Sequence, residues 1–101
     1  MNKTLVGILS DTHGVIHPGV LARMNDCDVI VHAGDICGGD VLEQLAPKSG
    51  QLVAVRGNND VLQHWQRESR FNLKDLPDEQ SIELPGGTLA VIQYFARRAD
   101  L

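Results

Sequence analysis

Asp28-Val29-Ile30-Val31-His32-Ala33-Gly34-Asp35 is the stretch from which the fold can be read. Three consecutive β-branched residues follow Asp28, no polar residue alternates with them, and the run stops at a glycine and a carboxylate. A strand with one wet face alternates; an unbroken apolar run belongs to a strand covered on both faces. The same design stands on either side. Thr4-Leu5-Val6-Gly7-Ile8-Leu9 runs into Ser10-Asp11-Thr12-His13-Gly14, and Gln51-Leu52-Val53-Ala54-Val55-Arg56 runs into Gly57-Asn58-Asn59-Asp60.

Helix chemistry fills the gaps between these runs. After His17, Pro18 suits a first helical turn, and Val20, Leu21 and Met24 share a face. A second helix is expected from Asp40, an N-cap with Glu43 three residues on as in a capping box, with Val41, Leu42 and Leu45 as its apolar side. Pro47 and Gly50 end it. Strand, helix, strand, helix, strand implies right-handed crossovers and a parallel sheet covered on both faces, with every strand C-terminus along one edge. Residues 60–80 are more polar, with a further short helix expected from Asp60 to Trp65 and a turn at Pro77-Asp78. Ser81-Ile82-Glu83-Leu84 and Thr88-Leu89-Ala90-Val91-Ile92 flank Pro85-Gly86-Gly87, a hairpin signal. The expected fold class is α/β, a parallel β-sheet core with flanking helices and a C-terminal β-hairpin, in a single domain over 1–101.

At 101 residues a chain can bury one core. The formal charge of −4 and pI near 5.4 exclude a general basic surface for nucleic acid. No run approaches the ~20 apolar residues that cross a bilayer. Cys27 and Cys37 show neither C-x-x-C spacing nor a secreted disulfide pattern, and read as reduced thiols of a cytoplasmic protein.

The chemistry collects where the strands end. Asp11 to Asp35 is 24 residues and Asp35 to Asn58 is 23, each one strand–helix–strand repeat. Asp11, His13, Asp35 and Asn58 therefore reach one rim, where open α/β sheets bind ligands. Asp11 and His13, two apart, can reach one ion; Asp35 has two oxygens with which to bridge cations; Asn58 offers a neutral carbonyl oxygen. Mixed oxygen and imidazole donors suit Mn²⁺, Ni²⁺, Fe²⁺ or Zn²⁺ better than a thiolate-type zinc site. No Gly-rich nucleotide cradle is present.

Leu9-Ser10-Asp11-Thr12-His13-Gly14, Val31-His32-Ala33-Gly34-Asp35 and Val55-Arg56-Gly57-Asn58-Asn59-Asp60 resemble the first three motifs of the calcineurin-like metallophosphoesterases, D-x-H, G-D and G-N-[HCN]-D. Their order and spacing resemble the small bacterial and archaeal phosphodiesterase branch, as does Ile82 to Val91, over roughly residues 4–92. The resemblance implies the front half of a two-sheet sandwich. It implies two divalent ions, Mn²⁺ first among the candidates, with Asp11 and His13 on the first metal, Asp35 bridging and Asn58 on the second. It implies hydrolysis of a small phosphodiester or phosphomonoester by metal-activated water, with Asp35 and Asn59 as catalytic residues. Asn59 stands where many relatives carry a histidine that protonates the leaving group. Relatives continue into G-H and G-H-x-H segments that complete the metal shells. No histidine follows His64 here, so the chain reads as C-terminally truncated, as a frameshift or early stop would leave it. An open sheet face and edge would follow, and with them pairing into a homo-oligomer.

Taken singly, Asp11-Thr12-His13, Gly34-Asp35 and Asn58-Asn59-Asp60 are ordinary turns; together, in order, they are not. His32 reads as a hydrogen-bonded core histidine, His17 as part of a helix start, and His64 and Trp65 as packing or surface residues. Cys27 and Cys37 read as small buried hydrophobes, although Cys37, two residues past Asp35, could approach a metal. Arg97-Arg98 reads as a solvated tail. Two other readings stand beside the hydrolase: an inactive metal-binding remnant, and an interaction scaffold of the same fold, as in the retromer subunit.

Overall fold

The computed structural model describes residues 3–93; Arg97 and Arg98 lie outside them. Three strands, β1 (Val6–Leu9), β2 (Val29–His32) and β3 (Gln51–Ala54), form a parallel sheet in the order β1-β2-β3. The register pairs Leu9 with His32 and His32 with Ala54, so the three strands end level. Helices α1 (Pro18–Asn25) and α2 (Gly39–Gln44) make the crossovers. The hairpin of β4 (Glu79–Leu84) and β5 (Gly87–Ile92) is a separate antiparallel sheet.

β2 is buried at every position, as its unbroken apolar run requires. Its residues serve two cores in alternation. Ile30 packs with Ile16, Ile36, Val41, Leu42 and Leu45 on the helix side. Val29 and Val31, with Val53 and Val55, meet Ile82 and Val91 of the hairpin on the other. Each such side chain contributes about 1.5–3 kcal/mol when withdrawn from water. Helices were expected on both faces and, by family comparison, one face bare; instead the helices occupy one face and the hairpin covers the other. The outer edges of β1 and β3 have no strand beside them among the described residues.

Two local expectations give way to sterics. The α2 N-cap is Gly38 at φ 151°, not Asp40, which sits inside the first turn as a favourable charge at the helix's positive end. The helix is only six residues long, because Pro47 disfavours helical backbone at Ala46. The segment from Asp60 makes a single 3-10 turn, Leu62–His64, rather than an α-helix. His17 caps α1, its Nδ1 accepting from Gly19 N–H at 3.0 Å.

The loops beyond the strands are tied from beneath by one carboxylate. Asp60, 4% exposed, accepts from the backbone N–H of Ile36 (3.3 Å), Cys37 (2.8 Å) and Gly57 (2.8 Å) and from Trp65 Nε1–H (3.2 Å). Hydrogen bonds to a charged acceptor contribute about 1.5–3 kcal/mol each, and an amide in its place would turn an N–H toward N–H donors. Asp60→Asn is expected to lower the unfolding free energy by about 3 kcal/mol. Urea denaturation measures it; a loss under about 1 kcal/mol would show that the carboxylate is not the tie.

Candidate metal centre

Three of the residues expected at the rim converge. One ligand atom each from Asp11, His13 and Asp35 lie within 4.8 Å of one another. His13 Nε2 is 3.7 Å from Asp11 Oδ1. Asp11 and His13 are about half exposed, whereas Asp35 is 4% exposed, so the cluster has a buried floor and an open mouth.

The backbone that delivers these groups is unusual. Asp11 (φ 58°), His13 (49°), Asp35 (56°) and Cys37 (63°) are the non-glycine residues with positive φ among those described. Each left-handed residue costs about 1 kcal/mol or more and persists only where surrounding bonds hold it. Those bonds are present. Asp11 N–H donates to Gly34 O (2.9 Å), His13 N–H to Asp35 O (3.0 Å) and Gly14 N–H to Ile36 O (2.8 Å). The loop after β1 therefore lies in register on the loop after β2.

Asp35 is held by both its oxygens. Asn59 N–H donates to Oδ1 at 2.9 Å and Asn59 Nδ2 to Oδ2 at 3.0 Å. Burial pushes the Asp35 carboxyl up, but the Asn59 bonds outweigh it, with smaller contributions from Gln93 and Asp11, and hold it below the ordinary range. Gly57 makes this approach possible. A Cβ there would collide with Asp35 Oδ1 and N and with Gln93 Oε1. Asn58 shares the rim, but its side chain makes no hydrogen bond among the described residues; its N–H donates to Gln93 Oε1 at 2.8 Å.

Gln93 was not foreseen. It follows β5 directly, and a polar residue ending an apolar strand that enters the same sandwich was the available signal. The part played by Asp60 was also missed, since an Asp closing Asn-Asn-Asp looks like a turn residue. Cys37 does approach the cluster, with Sγ 3.8 Å from His13 Nδ1 and 3.4 Å from Asn59 O. Burial first, then Asp60, Asp35 and Asp11, push its thiol up, so the sulfur keeps its hydrogen. His64 Nδ1 meets the same Asn59 carbonyl at 3.0 Å.

The donor set fits a divalent cation. Among the described residues no lysine or arginine forms an ion pair with Asp11, Asp35 or Asp60. Hard oxygens with one imidazole suit a divalent cation, which would offset carboxylates that no described lysine or arginine pairs with.

His32 lies beneath the cluster and is a fastener, not a ligand. It is fully buried, with Nε2 3.1 Å from Thr12 Oγ1 and Nδ1 accepting from Gly34 N–H at 3.2 Å. Since Thr12 Oγ1–H donates to Ile36 O (3.1 Å), His32 Nε2–H donates to the hydroxyl. One neutral ring thus links the two loops. Burial pushes its pKa down to about 4, against the opposing pull of Asp60, Asp11 and Asp35.

Residues 4–100 match the family model for the calcineurin-like phosphoesterase superfamily domain. A probable metallophosphoesterase of Methanocaldococcus jannaschii is 33% identical over 63 residues, 57% of this chain and 32% of that protein. A conserved uncharacterized protein of Streptococcus pneumoniae TIGR4, a predicted phosphoesterase, has a similar crystal structure. Its TM-score is 0.50 at 20% identity, over 91% of this chain and 46% of that one, a likeness of fold. The chain thus spans less than half the length of these relatives. No helix among the described residues is long and apolar enough to cross a membrane.

The depressed His32 fixes the sign of a pH effect. The folded ring stays neutral, whereas the unfolded ring takes a proton below about 6.5. Stability is complete above that pH and declines as pH falls toward 4, by about 3 kcal/mol over the window. Thermal melts of the native chain and His32→Gln between pH 7.5 and 4 compare the two slopes; equal slopes would exclude His32 as the cause.

Proposed function

This chain belongs to the calcineurin-like phosphoesterase superfamily, and from that membership we propose that it carries the cation-binding half of a phosphoesterase active site. The substrate class is a small phosphodiester or phosphomonoester. The observation that supports this reading is the convergence of Asp11, His13 and Asp35 within 4.8 Å, with no lysine or arginine among the described residues paired to them.

Asp11 and His13 would hold a first divalent cation with one oxygen of Asp35; the other Asp35 oxygen and Asn58 would serve a second. Mn²⁺ is the first candidate, with Ni²⁺, Fe²⁺ and Zn²⁺ behind it. Such cations supply Lewis acidity toward phosphoryl oxygens and bring the pKa of a water toward neutrality. The rest is positioning by the chain. Asn59 orients both Asp35 oxygens, and the low Asp35 pKa keeps the carboxylate free of a competing proton. Asn59 also places an amide where relatives offer an imidazole. An amide can donate a hydrogen bond to a phosphoryl oxygen but cannot release its proton to a leaving group, so esters with acidic leaving groups suit this site.

One observation favours a second reading, cation binding without turnover: Asp35 and Asn58 are the only residues assigned to the second cation, and Asn58 makes no side-chain bond to the others. The outer edge of β1, which no strand among the described residues covers and which lies beside exposed Leu5 and Ile8, extends the proposal to self-association by strand pairing. The two free cysteines are compatible with a reducing cytoplasm.

Purified full chain with added Mn²⁺ is expected to hydrolyse bis-p-nitrophenyl phosphate, and Asp35→Ala to lose about 100-fold or more while keeping its circular dichroism. Turnover indifferent to Asp35→Ala sinks the hydrolase reading. Mn²⁺ uptake without turnover selects the second reading, and neither property leaves a scaffold. Sedimentation that remains monomeric as concentration rises removes the strand-pairing part.

A further inference from the structure

We propose that Cys37 is a positioning residue for His13, its sulfur accepting the proton on His13 Nδ1 and so turning the Nε2 lone pair toward the cation. The role in cation binding rests on the reading above; the hydrogen bond itself does not.

The geometry begins in the backbone. Asp35-Ile36-Cys37-Gly38 shares with Asp11-Thr12-His13-Gly14 a left-handed first and third residue and a positive-φ glycine fourth, the glycines at 151° and 87°. The bonds from His13 N–H to Asp35 O and from Gly14 N–H to Ile36 O lay one loop on the other. Residue 13 and residue 37, distant in sequence, become side-by-side occupants of equivalent positions. Their side chains meet at 3.8 Å, Sγ to Nδ1, a reach that sulfur's larger radius permits.

Direction follows from what each partner can do. The Asn59 carbonyl only accepts; it receives Val61 N–H at 3.1 Å, and Cys37 Sγ, 3.4 Å away, is placed to donate its one hydrogen there as well. That leaves the sulfur lone pairs for His13, so Nδ1 carries the hydrogen. Nε2, the nitrogen beside Asp11 Oδ1, is then an acceptor facing the cluster. The opposite arrangement would spend the thiol hydrogen on Nδ1 and put a hydrogen on Nε2, where a ligand lone pair is needed. Imidazole ligands generally have the second nitrogen held by such a partner, and losing it weakens binding about 10–100-fold. His64 joins the network by donating Nδ1–H to the same Asn59 carbonyl. Asn59 in turn grips Asp35. Cys37 thereby couples His13 to the segment that holds the bridging carboxylate.

The test reads the ring before any activity. In ¹⁵N-labelled full chain at about pH 8, where a free imidazole is neutral, long-range ¹H–¹⁵N spectra report which nitrogen carries the hydrogen. The His13 signals are identified by their loss in His13→Gln. The native chain is expected to show His13 protonated on Nδ1, Cys37→Ala to move the population to the Nε2–H form, and Cys37→Ser to restore Nδ1–H. Mn²⁺ affinity by calorimetry is expected to fall about tenfold in Cys37→Ala and to stay within about threefold in Cys37→Ser. If Cys37→Ala does not fold, Cys37→Val, which fills the space without lone pairs, replaces it. His13 protonated on Nε2 in the native chain overturns the proposal, as does a Cys37→Ala chain unchanged in both tautomer and affinity. A native chain with Nδ1–H responding to Cys37 but no Mn²⁺ uptake overturns the cation reading and leaves the hydrogen bond standing.

Discussion

The Asp60 carboxylate accepts N–H groups from the loop after β2, from the loop after β3 and from Trp65. These donors lie past the ends of strands, where no ladder partner remains to receive them. A buried backbone N–H without an acceptor costs about as much as a lost hydrogen bond. One charged acceptor between two loops removes that cost for three backbone groups and locks the loops together. Because it is drawn into the floor, Asp60 is withheld from the cluster above, and Asp11, His13 and Asp35 are left to face outward. The last Asp of the third motif acts through architecture; the earlier ones carry the donors.

The floor also accounts for strain at the rim. Four left-handed residues that are not glycine would cost several kcal/mol in an isolated peptide. Here they occur in two loops that support each other through backbone bonds, with His32 bonded to both and Asp60 to the second. Residues two apart share a face even in extended backbone, and the bonds of Asp11 N–H to Gly34 O and His13 N–H to Asp35 O then hold both side chains beside Asp35. The same geometry carries Cys37 to His13. Strain, carboxylate crowding and a neutral buried imidazole are therefore aspects of a single arrangement, the bringing of two strand ends close enough for Asp11, His13 and Asp35 to converge.

Much of this was legible in the residues. Unbroken apolar runs at a repeat of 24 and 23 residues placed Asp11, Asp35 and Asn58 on one edge without any coordinates. The period is a property of strand–helix–strand geometry, which varies little. What the pattern hid was tertiary. Asp40 and Glu43 made a sound capping signal, yet Gly38 starts the helix, because the loop after Asp35 arrives in a conformation that only glycine continues comfortably. The hairpin was expected as a C-terminal element with no place assigned against the sheet; Ile82 and Val91 make it the cover of the second sheet face. Gln93 was invisible for the same reason: its place beside Asp35 and Asn58 depends on how two sheets stack, and local periodicity carries no information on stacking.

That stacking shapes the electrostatics as well. Asp35 is 4% exposed, while Asp11 and His13 stand about half open to water. Coulombic attraction between a cation and a carboxylate grows as water is excluded, so Asp35 would contribute most to binding and the exposed pair would govern exchange with solvent. Its burial would ordinarily favour the protonated acid, which binds no cation. The Asn59 bonds reverse that preference. A neutral amide thus does what a lysine or arginine would do elsewhere, keeping the carboxylate ionised, without placing a positive charge that would repel a cation from the cluster.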